Sequence, residues 1–133
     1  MIVAETREFV RRRASGRCEY CLLRQEHSYL THHVEHIVAR QHGGSDDPEN
    51  LALACHRCNL KKGPNLTGMD PLAKNVIALF HPRRHRWRDH FRLREARIEG
   101  TTPVGRVTVS VLALNDARRL DLRRELAFRG DWP

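Results

Sequence analysis

The chain has 133 residues and a formal net charge of +8, carried by 21 Arg and 3 Lys against 16 acidic residues. That length suits one compact domain, or a small functional unit with an appendage, and excludes two large cores. No apolar run approaches the roughly 18 residues of a membrane span, and the opening MIVAETREFV does not read as a secretion signal, so a cytoplasmic protein with a polyanionic partner is expected, nucleic acid first.

Residues 3–14 place Val3, Thr6, Val10 and Ala14 on one helical stripe, with Arg7, Arg11, Arg12 and Arg13 largely off it and Ser15-Gly16 as the stop. An amphipathic helix is predicted there. Residues 29–38, rich in Val, Ile, Thr and Tyr, favour a strand, and 39–50, with Gly-Gly and Asp-Asp-Pro, read as a loop. NLALAC, residues 50–55, is short and apolar enough for the returning strand, and HRCNLKKG, residues 56–63, for a helix of about two turns ended by Gly63.

Pro64, Gly68 and Pro71 make residues 64–75 a connector, and NVIALF beyond it suggests another strand. Residues 83–97 read as a strand whose face carries Trp87, Asp89, Phe91 and Leu93 while Arg88, Arg92 and Arg94 point the other way. Between 103 and 114 the alternation of Val107, Val109 and Val111 competes with a helical stripe of Val104, Val107, Val111 and Leu114. Thr102 followed by Pro103 decides for helix. A last helix is predicted from near Asn115 to about Phe128, with Gly130 ending it.

Cys18-Glu-Tyr-Cys21 and Cys55-His-Arg-Cys58 are two CxxC pairs separated by 33 residues. Each offers two thiolates to one tetrahedral ion, and soft sulfur selects zinc. A redox dithiol needs only one such pair, and buried free thiols have no reason to fall twice at this spacing. One structural Zn²⁺ held by Cys18, Cys21, Cys55 and Cys58 is therefore expected. It would be saturated by sulfur, and it would staple a segment poor in aromatic core residues.

Between the pairs lie Glu35-His36-Ile37, Gly43-Gly44, Asn50-Leu51, then Cys55-His-Arg-Cys58-Asn59 and Lys61-Lys62-Gly63. In this order and at these distances the segment from about 17 to 63 resembles the HNH endonuclease family, a two-stranded ribbon and a helix around a metal. Glu35 stands where members often have Asp, and Ala39 where Pro is frequent. The fold class implied is α+β: a zinc-stapled ββα-metal unit with an N-terminal helix over 1–63, and a connector with an Arg-rich C-terminal α+β extension over 64–133, the whole forming one compact domain.

The resemblance implies a metal-dependent nuclease that cuts DNA to leave a 5′-phosphate and a 3′-hydroxyl. His36 would be the general base, since an imidazole titrates near neutrality. Glu35 and Asn59 would offer hard oxygen ligands to Mg²⁺ or Mn²⁺. Asn50 would pin the loop that orients His36, with Gly43 and Gly44 allowing its turn. Glu35 and His36 can share a site only where strand alternation breaks. Lys61 and Lys62, and Arg83, Arg84, Arg86 and Arg88 from the basic segment, are the expected nucleic-acid contacts. His32, His33, His42 and His56 have no assigned role. Two rivals stand beside this reading: a non-catalytic zinc module that grips nucleic acid, and an RNA-directed nuclease or toxin. Oligomeric state is not written in the sequence.

Overall fold

The computed structural model describes residues 1–133 and divides them into two compact units, Met1–Leu66 with His81–His85, and Thr67–Phe80 with Arg86–Pro133. The boundary between the units lies three residues beyond the sequence division at 63/64, and His81–His85, whose last three residues come from the basic stretch, belong to the first unit.

In the first unit, α1 spans Ala4–Arg13. Its apolar stripe buries Val10 completely, in a cluster with Ile2, Val34, Leu51 and Leu53 against which Ala14 packs. Burying one such side chain contributes about 1.5–3 kcal/mol, so this small cluster is a thin core. The off-stripe arginines fasten the helix instead. Arg13 Nη2 donates to the carbonyls of Pro48 and Leu51 at 3.0 and 2.8 Å, and Arg11 Nη1 to that of His32 at 3.0 Å.

Strand β1 is only His33–His36 and pairs antiparallel with β2, Leu51–Ala54, in the register His33 to Ala54 and His36 to Leu51. Residues 29–32 do not extend it. The long loop between the strands carries two single 3-10 turns, Arg40–His42 and Pro48–Asn50. Helix α2, His56–Lys62, follows directly, capped by the Cys55 sulfur, which accepts from the Cys58 N–H at 3.5 Å.

The second unit opens with a hairpin, β3 at Thr67–Met69 and β4 at Val76–Ala78. The single strand predicted over 83–97 is absent. In its place stand a helical turn, α3 at Trp87–His90, and a hairpin, β5 at Phe91–Arg94 and β6 at Arg97–Gly100. The reason is local: Trp87 and Phe91, four residues apart, stack at 4.9 Å between ring centroids, a contact that a helical turn makes and a strand does not. Phe91 also meets Phe80 edge-on at 5.2 Å.

Helix α4, Pro103–Val111, begins as predicted with the Thr102 hydroxyl accepting from Gly105 N–H at 3.1 Å. Helix α5, Ala117–Phe128, is capped by Asp116. Two arginines of α5 are buried and serve backbone carbonyls. Arg119 Nη1 donates to Leu112 O at 2.9 Å, and Arg123 reaches Ala96 O at 2.6 Å and Leu114 O at 2.7 Å. These bonds satisfy acceptors at the end of α4 and in the β5–β6 turn that would otherwise be orphaned.

Candidate functional site

The four cysteines converge. All are buried, none is in a disulfide, and their sulfurs lie within 4.8 Å of one another. A tetrahedron of sulfurs around zinc at about 2.3 Å has edges of about 3.8 Å, and the Cys21 and Cys55 sulfurs are 3.6 Å apart. In each pair the second backbone N–H points at the first sulfur, at 3.4 Å for Cys21 to Cys18 and 3.5 Å for Cys58 to Cys55. Such donors favour thiolate, whereas burial pushes the Cys18 and Cys58 thiols up. The donor set of four sulfurs fits a soft divalent ion.

Helix α2 presents Cys55, Cys58 and Lys62 at intervals of three and four, which makes them one stripe, and that stripe is its buried face. Lys62 is 2% exposed, and its ammonium donates to Ile37 O at 2.9 Å and pairs with Glu35 Oε1 at 3.2 Å. The expectation that Lys62 touches a phosphate is therefore corrected: the turn geometry that brings the cysteines together carries Lys62 inward. Lys61, one position on, is exposed.

Glu35 is likewise turned in. It is 7% exposed, and its other oxygen accepts from the Tyr20 hydroxyl at 2.7 Å. Burial raises its carboxyl above the usual range, while Lys62 and then Tyr20 pull it back. A carboxylate so engaged is not the free ligand that a catalytic cation was expected to find, and a Glu35–Asn59 ligand pair does not fit as the residues stand. Asn59 itself is partly exposed; its backbone N–H donates to Cys55 O at 2.9 Å, while its side-chain amide has no protein hydrogen-bond partner.

His36 closes β1 and leaves in another direction. Its Nε2 lies 2.8 Å from Asp46 Oδ1, and Arg40 Nη2 donates to both oxygens of the same carboxylate at 2.9 Å. His36 and the N-terminal ammonium hold the Asp46 carboxyl well below the ordinary carboxylate range. The expected break in alternation does not occur: Glu35 and His36 find separate partners. Asn50 stitches the loop together, its Oδ1 accepting from Val38 N at 2.9 Å and its Nδ2 donating to Val38 O and Ser45 O at 3.0 and 2.8 Å. Gly43 has φ +89°, and a Cβ on Gly44 would stand 1.7 Å from Val38 O, so both glycines are required.

A family model described as HNH endonuclease matches residues 18–65. This segment is similar to HNH domains. No curated protein and no solved structure matches the chain. The matched segment begins at the first cysteine and ends three residues past α2, taking in the sulfur cluster, the ribbon and the pinned loop. It points to a nuclease or another nucleic-acid-related activity.

Elsewhere in the first unit, Arg83 folds against Glu19 with its side chain 10% exposed, and Arg84 next to it in sequence is exposed. Arg86 and Arg88, in the second unit, are exposed as well. Asp46 is not legible in the sequence because Asp46-Asp47-Pro48 reads as turn chemistry, and only the fold closes the nine residues between it and His36. No helix is long and apolar enough to cross a membrane.

Proposed function

We propose that the protein is an HNH endonuclease hydrolysing phosphodiester bonds of DNA, with His36 as the general base and zinc in the four-cysteine cluster. In the reaction a water oxygen bonds to phosphorus as the P–O bond to the 3′ oxygen breaks. His36 takes the water proton, and the departing oxygen takes a proton from solvent and ends as a 3′-hydroxyl opposite a 5′-phosphate. The observation that carries this reading is the placement of His36: a partly exposed imidazole, oriented by a carboxylate, on the ribbon of a segment matched to HNH endonucleases.

A divalent cation, Mg²⁺ or Mn²⁺, would supply charge neutralisation at the phosphate. Asn59 is the open oxygen donor for it, and Glu35 is not. Asn50 acts at one remove, by fixing the loop that carries Asp46. Lys61, Arg84, Arg86 and Arg88 are the basic side chains free to meet a phosphate backbone, a set reduced from the sequence expectation by the burial of Lys62 and the pairing of Arg83.

The test is cleavage of supercoiled plasmid by wild type and His36→Ala, in Mg²⁺, Mn²⁺ or EDTA, with single-stranded RNA as a parallel substrate. Metal-dependent nicking of DNA that His36→Ala lowers by about 10²–10⁴-fold is the expected result. Equal rates in the two proteins refute the choice of base, RNA cleavage alone transfers the activity to RNA, and binding without cleavage leaves a non-catalytic module.

A further inference from the structure

The imidazole of His36 has two ring nitrogens, and its partner decides which of them can react. A carboxylate only accepts hydrogen bonds, so the 2.8 Å contact from Nε2 to Asp46 Oδ1 puts the ring proton on Nε2 and the lone pair on Nδ1. No protein group hydrogen-bonds to Nδ1, and the side chain is 21% exposed.

Asp46 is itself held from three sides. Arg40 Nη2 spans both its oxygens at 2.9 Å, Asn50 Nδ2 grips the carbonyl of the preceding residue, Ser45, at 2.8 Å, and Gly44 backs onto Val38 with no room for a side chain. The partner of the imidazole is therefore fixed before any substrate arrives.

We propose that Asp46, steadied by Arg40, is a positioning residue that holds His36 in the tautomer whose Nδ1 takes the proton of the attacking water. This rests on the nuclease reading and deepens it by naming the reacting atom. When Nδ1 gains the proton, the ring becomes an imidazolium still bonded through Nε2 to a carboxylate, so positive charge develops against a fixed negative one. Without Asp46 the neutral ring divides between tautomers and rotates freely, and only part of the population presents a lone pair at the site.

The experiment reads the ring and the turnover separately on the full, zinc-loaded chain. Long-range ¹H–¹⁵N correlation spectra are recorded on ¹⁵N-histidine protein at about pH 8, above the ordinary imidazole range, for wild type, Asp46→Ala and the isosteric Asp46→Asn. Wild type should show His36 protonated at Nε2 and Asp46→Ala a mixture of tautomers, and Asp46→Asn, whose amide donates as well as accepts, should lose part of the wild-type preference. In plasmid cleavage Asp46→Ala should lower kcat by about 10- to 100-fold, a share of what a positioned base supplies, with KM moved by less than about two-fold. Asp46→Asn should fall between the two. A wild-type ring protonated at Nδ1, a tautomer ratio indifferent to Asp46→Ala, or kcat unchanged in Asp46→Asn overturns the inference. A wild type that cleaves neither DNA nor RNA overturns the nuclease reading instead, and the ring signals do not depend on that result.

Discussion

Replacing Lys62 by Met separates a lysine built into the fold from one that reaches for a phosphate. The ammonium is 2% exposed, 3.2 Å from Glu35 Oε1, and donates to Ile37 O at 2.9 Å. At an effective dielectric of about 20, opposite unit charges at that distance attract by about 5 kcal/mol. That attraction offsets the desolvation of both ions, so removing one partner costs about 3–5 kcal/mol. The Tyr20 hydroxyl still serves Glu35 in the variant, which places Lys62→Met towards the lower end. With a urea m-value of about 2 kcal/mol/M, a loss of about 3 kcal/mol moves the unfolding midpoint down by about 1.5 M. The double variant Lys62→Met/Glu35→Gln leaves no uncompensated charge and should regain most of that shift. Urea unfolding of the zinc-loaded proteins, followed by circular dichroism, measures all of these. A midpoint change under about 0.3 M in Lys62→Met, or losses that simply add in the double variant, would refute the buried pair.

Stripping the metal with a chelator, or substituting Cys58→Ala, should abolish hydrogen-exchange protection of β1, β2 and α2, because zinc binding of this kind contributes about 10–16 kcal/mol at neutral pH; protection that survives chelation would mean the sulfurs hold no structural ion. Gly44→Ala should cost more stability than Gly43→Ala in the same denaturation assay. A Cβ at Gly44 meets Val38 O at 1.7 Å, whereas at Gly43 only the positive φ resists, at about 1–2 kcal/mol; the reverse order would contradict the loop geometry. Arg106 donates to Asp70 through Nε at 3.1 Å and Nη2 at 2.8 Å, and this contact holds the Asp70 carboxyl below its ordinary value. Since the folded pKa is the lower one, its stabilisation is complete above the unfolded value of about 3.9 and is lost as pH falls through the folded one. Thermal melts across this range should show Asp70→Asn less stable than wild type at pH 6, with the gap closing in acid; a constant gap would exclude the ion pair as its cause.

The parts of the site that were legible before folding are those set by short spacing. Two CxxC pairs constrain four sulfurs whatever the rest of the chain does, and Thr102-Pro103 announces a helix start through backbone chemistry alone. The strand proposed over 83–97 failed because alternation in Trp87, Asp89, Phe91 and Leu93 was read across a boundary. A four-residue turn is too short for its period to show, and it was stabilised by the Trp87–Phe91 stack. Lys62 was misjudged although the signal was present: Cys55, Cys58 and Lys62 share one stripe, and once the sulfurs face inward so must the lysine. Glu35 and Asp46 were not legible, because each is defined by a partner distant in the chain, Tyr20 and Lys62 for the one and His36 for the other.

The arginines that serve backbone carbonyls change how this protein should be interrogated. Arg13, Arg119 and Arg123 end on main-chain oxygens rather than in water. Truncating them one at a time, as a survey of cationic residues would, collapses helix ends and turns, and the lost affinity for a polyanion would then be misread as a lost contact. Lysine at 123 would be no gentler, because a single ammonium cannot fork between the Ala96 and Leu114 carbonyls that the guanidinium reaches through Nε and Nη2. Charge reversals report on binding alone only at solvent-facing guanidinium groups that hold no partner in the fold, such as those of Arg86 and Arg88.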